Sequence, residues 1–129
     1  MSIAGTISLA SHCRRAKVGA VIVKNSRVVS TGYNGQPAGC DNNCEENNLT
    51  LPTVIHAEAN SLINATTADL SGCTMYVTLS PCLRCAALIK QVGINEVVYR
   101  KQYSGTHCGI AFLEKYDVKI WKYDGDFSR

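Results

Sequence analysis

Val54-Ile55-His56-Ala57-Glu58 and, further along, Ser80-Pro81-Cys82-Leu83-Arg84-Cys85 each lead from an apolar stretch into a segment of helical periodicity. His56, Cys82 and Cys85 are the three nitrogen and sulfur ligands that a catalytic zinc needs when its fourth position is kept for water. Glu58 stands two residues past the histidine, close enough to reach that water and not required as a ligand. Cys82 and Cys85, at i and i+3 on a helix predicted to begin at Ser80 or Pro81, project both sulfurs from one face. That first turn also favours anionic thiolates, through its unpaired N–H groups and the helix dipole. A second helix is predicted from Ile55 to about Ala65, with His56 and Glu58 in its own first turn. A lone C-x-x-C would equally suit a redox pair or half of a zinc knuckle, and a lone H-x-E says little. Together they point to a catalytic zinc, with Glu58 shuttling protons to and from an activated water.

Outward from these motifs, the chain alternates strands with helices. Ile3 to Cys13 reads as a short helix, with Ile3, Ile7 and Ala10 on one face. Arg14, Arg15 and Lys17 form a basic cluster ahead of the apolar, β-branched run Val18 to Val23, a buried strand. A polar turn (Lys24 to Arg27) and the strand Val28 to Tyr33 complete a hairpin. The turn-rich stretch from Gly32 through Cys40 and Cys44 to Pro52 is long for a compact domain and reads as a wall of the site. Cys73 to Leu79 is the next strand, and the helix after it should stop at Gly93. Ile94 to Tyr99, a helix from Ile110 to Tyr116 introduced by Ser104 to Gly109, and a strand Val118 to Tyr123 follow. A hairpin followed by alternating strands and helices implies an α/β fold with one mixed sheet.

Composition narrows the function. The 129 residues suffice for one domain, with 46% hydrophobic content and a formal charge of +3. That charge suits a small anionic substrate and falls short of the basic stripe of a nucleic-acid binder. No apolar run approaches the roughly 18 residues of a membrane span, and the N-terminus lacks the pattern of a secretory signal. Seven cysteines are an odd number, so buried and metal-bound thiols in a reducing, cytoplasmic compartment are expected over a disulfide framework.

H-x-E followed by P-C-x-x-C is the known signature of zinc deaminases of nucleobases. The chain resembles, more closely, the deoxycytidylate (dCMP) deaminases of the cytidine deaminase-like superfamily. The resemblance is carried by Cys13-Arg14-Arg15-Ala16-Lys17-Val18-Gly19-Ala20-Val21, Gly32-Tyr33-Asn34-Gly35-Gln36-Pro37-Ala38-Gly39, His56-Ala57-Glu58-Ala59-Asn60 and Met75 to Ala86. Its short N-terminal helix and compact 39–56 segment are similar to viral members. The resemblance implies a three-layer α/β/α sandwich around a five-stranded mixed sheet, formed by residues 1–129 as one zinc-dependent deaminase domain. It also implies a homo-oligomer, favouring a hexamer. The implied reaction is hydrolysis of dCMP to dUMP and ammonia, which supplies thymidylate synthesis. Implied regulation is activation by dCTP, with which Mg2+ could be bound, and inhibition by dTTP near Gly32, Tyr33, Asn34 and Gly35. Implied substrate contacts are Asn34 to sugar or base, the Ala57 backbone to the base carbonyl, Thr78, Leu79 and Ser80 beside the ring, and Tyr103 over the nucleotide. Arg14, Arg15 and Lys17 are candidates for the phosphate. A second, structural zinc would draw on Cys13, Cys40, Cys44, His107 and Cys108, for which buried thiols are the plainer expectation.

Three alternatives stand beside this reading. A bifunctional enzyme would also accept dCTP. A deaminase of RNA or DNA bases needs a larger basic and aromatic surface than this chain offers. A catalytically silent, zinc-stabilised regulatory module would have no use for Glu58. Membrane and nucleic-acid partners are not expected.

Overall fold

The computed structural model describes residues 1–103 and 107–125. Its elements are α1 (Ser2–Ser8), β1 (Gly19–Lys24), β2 (Arg27–Tyr33), β3 (Glu45–Glu46), β4 (Leu49–Thr50), α2 (Ala57–Ile63), β5 (Thr74–Leu79), α3 (Leu83–Gln91), β6 (Glu96–Lys101), α4 (Cys108–Lys115) and β7 (Lys119–Lys122). Five strands make one mixed sheet in the order β2-β1-β5-β6-β7. β1 runs antiparallel to β2 and β5, whereas β5, β6 and β7 are mutually parallel. The β1–β2 hairpin closes through Asn25 and Ser26 at φ 51° and 63°, the left-handed pair that matches the twist of the strands.

Helices cover both faces of the sheet. Gly32 pairs with Ala20 and lies against α2, where a Cβ would meet the Ala57 carbonyl at 2.7 Å. Gly19, one residue along and so on the opposite face, lies against α1, where a Cβ would meet Ser8 Cα at 3.1 Å. The main core fills the α2 face: Ile22, Met75 and Val97 form a cross-strand row, Ala20 pairs with Val77, and Ala57, Ala86, Ile89 and Leu113 descend on them from the helices. The architecture is the expected α/β/α sandwich, with the thin layer supplied by α1.

Several boundaries differ from the sequence expectation. α1 stops at Ser8 because the chain then crosses to the end of β2, where Ser11 Oγ donates to the Asn34 carbonyl at 2.8 Å. The stretch read as a featureless wall contains the β3–β4 hairpin, turned by Asn47 and Asn48 at φ 53° and 61°. Its strands are too short and polar to show period-2 alternation. β6 runs on to Lys101, and α4 begins at Cys108; residues 104–106 of the lead-in expected before it lie outside the described residues. α3 ends as expected, with Gly93 at φ 88° beyond its C-cap.

At their starts, α2 and α3 each begin one or more residues later than expected. His56 and Cys82 are therefore N-caps in extended conformation, not first-turn residues, and Pro81 precedes the helix. Cys13 and Cys44, expected as thiols, are joined as a disulfide. Both are buried where the segment before β1 meets β3, a meeting that nothing in their spacing announces. No described helix is long and apolar enough to cross a membrane.

Candidate active site and metal centre

α2 and α3 touch each other on the same face of the sheet, and their N-caps bring His56 and Cys82 together. His56 Nδ1 lies 3.5 Å from Cys82 Sγ and 3.5 Å from Cys85 Sγ. A tetrahedral zinc with sulfur at about 2.3 Å and nitrogen at about 2.0–2.1 Å spans N···S edges of about 3.6 Å. The two observed edges therefore fit a zinc, with Nδ1 as the ligating nitrogen. Among the described residues this group has three members, their ligand atoms all within 4.8 Å of one another. Cys82 also caps α3, its sulfur accepting the Cys85 N–H at 3.5 Å.

The electrostatics suit a cation. Hydrogen bonding with Cys85, opposed by burial and reinforced by His56, brings the Cys82 thiol down to about 3. The hydrogen bond with Cys82 and burial push the Cys85 thiol up, and the hydrogen bond to Cys82 raises His56. A divalent ion bound there would displace the thiol protons. Glu58 is buried at 4% exposure, and that burial pushes its carboxyl up to about 7, with the Glu58 backbone bond and His56 opposing. A carboxyl poised there can both take and return a proton near neutral pH.

A cavity of about 590 Å³ opens over this group, lined by His56, Ala57, Glu58 and Cys82 at its metal end. Its walls come from the segment before β1, the β3–β4 hairpin, and the carboxyl ends of β5 and β6. Of the substrate contacts expected from the sequence, Asn34, Ala57, Leu79, Ser80 and Tyr103 line it. Asn34 is also structural: its Oδ1 accepts the Val18 N–H at 2.9 Å and its Nδ2 donates to the Ala16 carbonyl at 2.8 Å. Ser80 Oγ accepts the Tyr103 N–H at 2.7 Å, holding that segment over the cavity.

Thr78, Arg14 and Lys17 lie elsewhere. Thr78 is behind the wall, buried, with Oγ1 accepting the Gly19 N–H at 3.1 Å. Arg14 turns outward to Glu45, Nε to Oε1 3.4 Å, and Lys17 Nζ donates to the Ser11 carbonyl at 2.7 Å. Arg15, from the same basic cluster, does line the cavity. The sequence reading missed Lys101 and Glu45. Lys101 could have been found from the rule that ligands gather at the carboxyl ends of parallel strands, had β6 been extended far enough.

The remaining expected sites divide. A smaller cavity of about 170 Å³ is lined by Tyr33, Asn34 and Gly35 together with His12 and residues 36–39 and 42, and it shares Asn34 with the larger one. Gly32 is outside it, packed under α2. The five residues named for a second metal are not gathered: Cys13 and Cys44 lie together with Glu45, Cys40 is exposed, and His107 and Cys108 begin α4.

Comparison with known proteins follows the same lines. Residues 1–101 match the family described as the cytidine and deoxycytidylate deaminase zinc-binding region. The chain is 42% identical over 117 residues to the deoxycytidylate deaminase of Mycobacterium phage D29, covering 79% of this chain and 91% of that protein. It is 41% identical over 108 residues to the human deoxycytidylate deaminase, covering 77% of this chain; it spans only 61% of that longer relative. Among solved structures, the dCMP deaminase of cyanophage S-TIM5 in complex with dCMP and dUMP superposes with a TM-score of 0.89 at 37% identity, over 95% of this chain and 92% of that one.

Proposed function

The chain belongs to the family of cytidine and deoxycytidylate deaminases, zinc-dependent hydrolases, and from that premise we propose that it hydrolyses dCMP to dUMP and ammonia. The observation that carries the chemistry is the triangle of His56, Cys82 and Cys85 at zinc-fitting distances, open to a cavity that also receives the buried Glu58. The choice of dCMP is supported by the likeness to the phage enzyme whose structure holds dCMP and dUMP. We take residues 1–129 to act as one deaminase domain.

His56 Nδ1, Cys82 Sγ and Cys85 Sγ would hold the zinc, which when bound supplies the Lewis acidity that makes water nucleophilic near neutral pH. Glu58 takes a proton from that water. It passes the proton to the ring nitrogen beside the amine-bearing carbon, then returns one to the departing amine, so that water and dCMP become dUMP and ammonia. The Ala57 backbone N–H, at the same end of α2, donates to the base carbonyl. Leu79 and Ser80 bound the ring, and Tyr103 closes over the nucleotide. Burial of Glu58 raises its affinity for the proton it must carry.

Effector control by dCTP and dTTP belongs to the same reading. The smaller cavity at Tyr33, Asn34 and Gly35 is its place, since Asn34 connects it to the substrate cavity. Assembly into a homo-oligomer is supported by exposed apolar side chains such as Leu9 on the turn after α1, Ile63 on α2 and Leu83 on α3. Incubating the purified protein with dCMP, dCTP, cytidine and a deoxycytidine oligonucleotide, and following ammonia release with and without dCTP or dTTP, tests the proposal. Release from dCMP at the highest kcat/KM supports it. Preference for the oligonucleotide, or no release from any of the four, contradicts it.

A further inference from the structure

The helix that carries Glu58 has little apolar mass with which to hold its place. The buried side chains of α2, Ala57, Glu58 and Ser61, are small or polar. Of its larger apolar residues, Leu62 packs only partly against the core and Ile63 is exposed. A helix of seven residues is marginal alone and depends on what it packs against. Gly32 sets how closely α2 lies on β2, but a bare backbone contact does not fix slide or rotation.

Side-chain hydrogen bonds to β2, the edge strand of the sheet, supply what packing does not. Asn60 Nδ2 donates to the Tyr33 carbonyl at 2.8 Å, and Asn64 Nδ2, at the C-cap of α2, donates to the Thr31 carbonyl at 2.9 Å. Between them, Ser30 Oγ donates to the Ser61 carbonyl at 2.6 Å. Alternate residues of an antiparallel strand turn their amides and carbonyls to the neighbouring strand. The Asn34 N–H donates to Val18 on the β1 side, so Tyr33 and Thr31 present their carbonyls on the open side of the sheet. Asn60 and Asn64 stand about 6.0 Å apart along the helix axis. The two carbonyls, two residues apart on a strand, stand about 6.8 Å apart. With α2 running opposite to β2, both amides reach their carbonyls at one setting of the helix, and a slide of one residue would break both bonds.

The geometry points to Asn60 and Asn64 as positioning residues that set the slide and rotation of α2 on the edge strand, with Asn60 holding the catalytic end in place. The Asn60 N–H donates to the His56 carbonyl at 2.9 Å, so its side chain ties the turn bearing His56 and Glu58 to Tyr33. Asn64 lies one turn farther from both. The kinetic side of this inference rests on the proposed deamination; the metal-binding side does not.

The test compares the wild type with Asn60→Ala, Asn60→Leu, Asn64→Ala and, as a control on α1, Thr6→Ala, which removes a side-chain bond to the Ser2 carbonyl. Leucine restores the volume of asparagine without its donor. Zinc affinity is read by competition with a chromogenic chelator. The visible absorption of the cobalt-substituted protein reports the geometry of the His56, Cys82 and Cys85 group. The kcat and KM for dCMP are measured where denaturation curves show each variant folded. Both Asn60 variants should lose roughly tenfold in zinc affinity and roughly tenfold in kcat, with shifted cobalt bands and KM within about twofold. Asn64→Ala should lower the denaturation midpoint to a similar extent while changing zinc affinity and kcat by less than about twofold, and Thr6→Ala should change neither. A merely structural role would instead make the losses follow stability, alike at both positions. Wild-type zinc affinity and kcat in folded Asn60→Leu, or equal losses at positions 60 and 64, overturns the assignment. Should Asn60→Ala not fold, Asn60→Leu decides. A wild type that binds zinc but releases no ammonia from dCMP refutes the activity alone, and the zinc affinities and cobalt spectra of the variants still decide the positioning pair.

Discussion

Glu58 sits two residues beyond a metal ligand, yet its carboxylate oxygens are not among the ligand group. In the proposed reaction its task is to move protons, and substitution should separate the two functions. Glu58→Gln keeps the shape and the zinc while losing the titratable proton, and turnover of dCMP should fall by about 10²–10⁴-fold. Zinc content by elemental analysis and kcat measured on the same preparation check this; a variant with full activity would remove Glu58 from the mechanism. That His56, Cys82, Cys85 and Glu58 gather at one cavity was legible in the sequence because each lies within a short motif whose spacing is set by one helix start. Glu45 and Arg15 were not legible as a unit, since 30 residues separate them and their partnership is made by backbone amides, which leave no trace in side-chain pattern. Likewise Arg14 and Arg15 are indistinguishable in the sequence; only the ion pair to Glu45 tells the outward guanidinium from the inward one.

Close packing of backbone on backbone decides how α2 is held, and one buried carboxylate decides how the segment around Arg15 is held. Gly32 lies directly beneath α2, where an added Cβ would come within 2.8 Å of the Asn60 carbonyl carbon as well as 2.7 Å of the Ala57 oxygen. Gly32→Ala must lift the helix that carries His56 and Glu58. The expected cost is about 1–3 kcal/mol of stability, read by chemical denaturation, together with weakened zinc binding read by competition with a chromogenic chelator. The tie between the segment before β1 and β3 runs through the Glu45 carboxyl. Burial pushes that carboxyl up, but the two amides and Arg14 outweigh it and hold its pKa below the ordinary 4.5. A group depressed on folding stabilises the protein above its unfolded pKa, and the contribution disappears as pH falls through the folded value. Glu45→Gln should therefore be less stable than wild type at neutral pH, and the gap should close on acidification below about pH 4; a gap that stays constant with pH would show that the charge is not what holds the segment. The sheet and its alternating helices were legible because β1, β5 and β6 are β-branched runs between turn residues. The β3–β4 hairpin was not, because Glu45-Glu46 and Leu49-Thr50 owe their pairing to a tight Asn47-Asn48 turn and to burial of one glutamate, not to any alternating pattern.

Across the whole molecule, the His56, Cys82 and Cys85 group connects two helices that reach it from different strands, so that a zinc held there would also be a cross-link. Binding to the folded state alone raises stability by an amount that grows with the logarithm of metal affinity. Removing zinc with a chelator should lower the unfolding midpoint and abolish deamination together, and re-adding zinc should restore both. What carries over from the family to this chain is therefore concentrated at one end of the sheet, where the N-caps of α2 and α3 and the carboxyl ends of β5 and β6 surround one cavity. The most direct measurement is the metal stoichiometry of the active protein combined with zinc-edge X-ray absorption. One zinc per active chain, bound by one nitrogen and two sulfurs with the fourth position taken by a light non-protein ligand, is the predicted result. Full activity without zinc, or a shell closed by a fourth protein side chain, would contradict it.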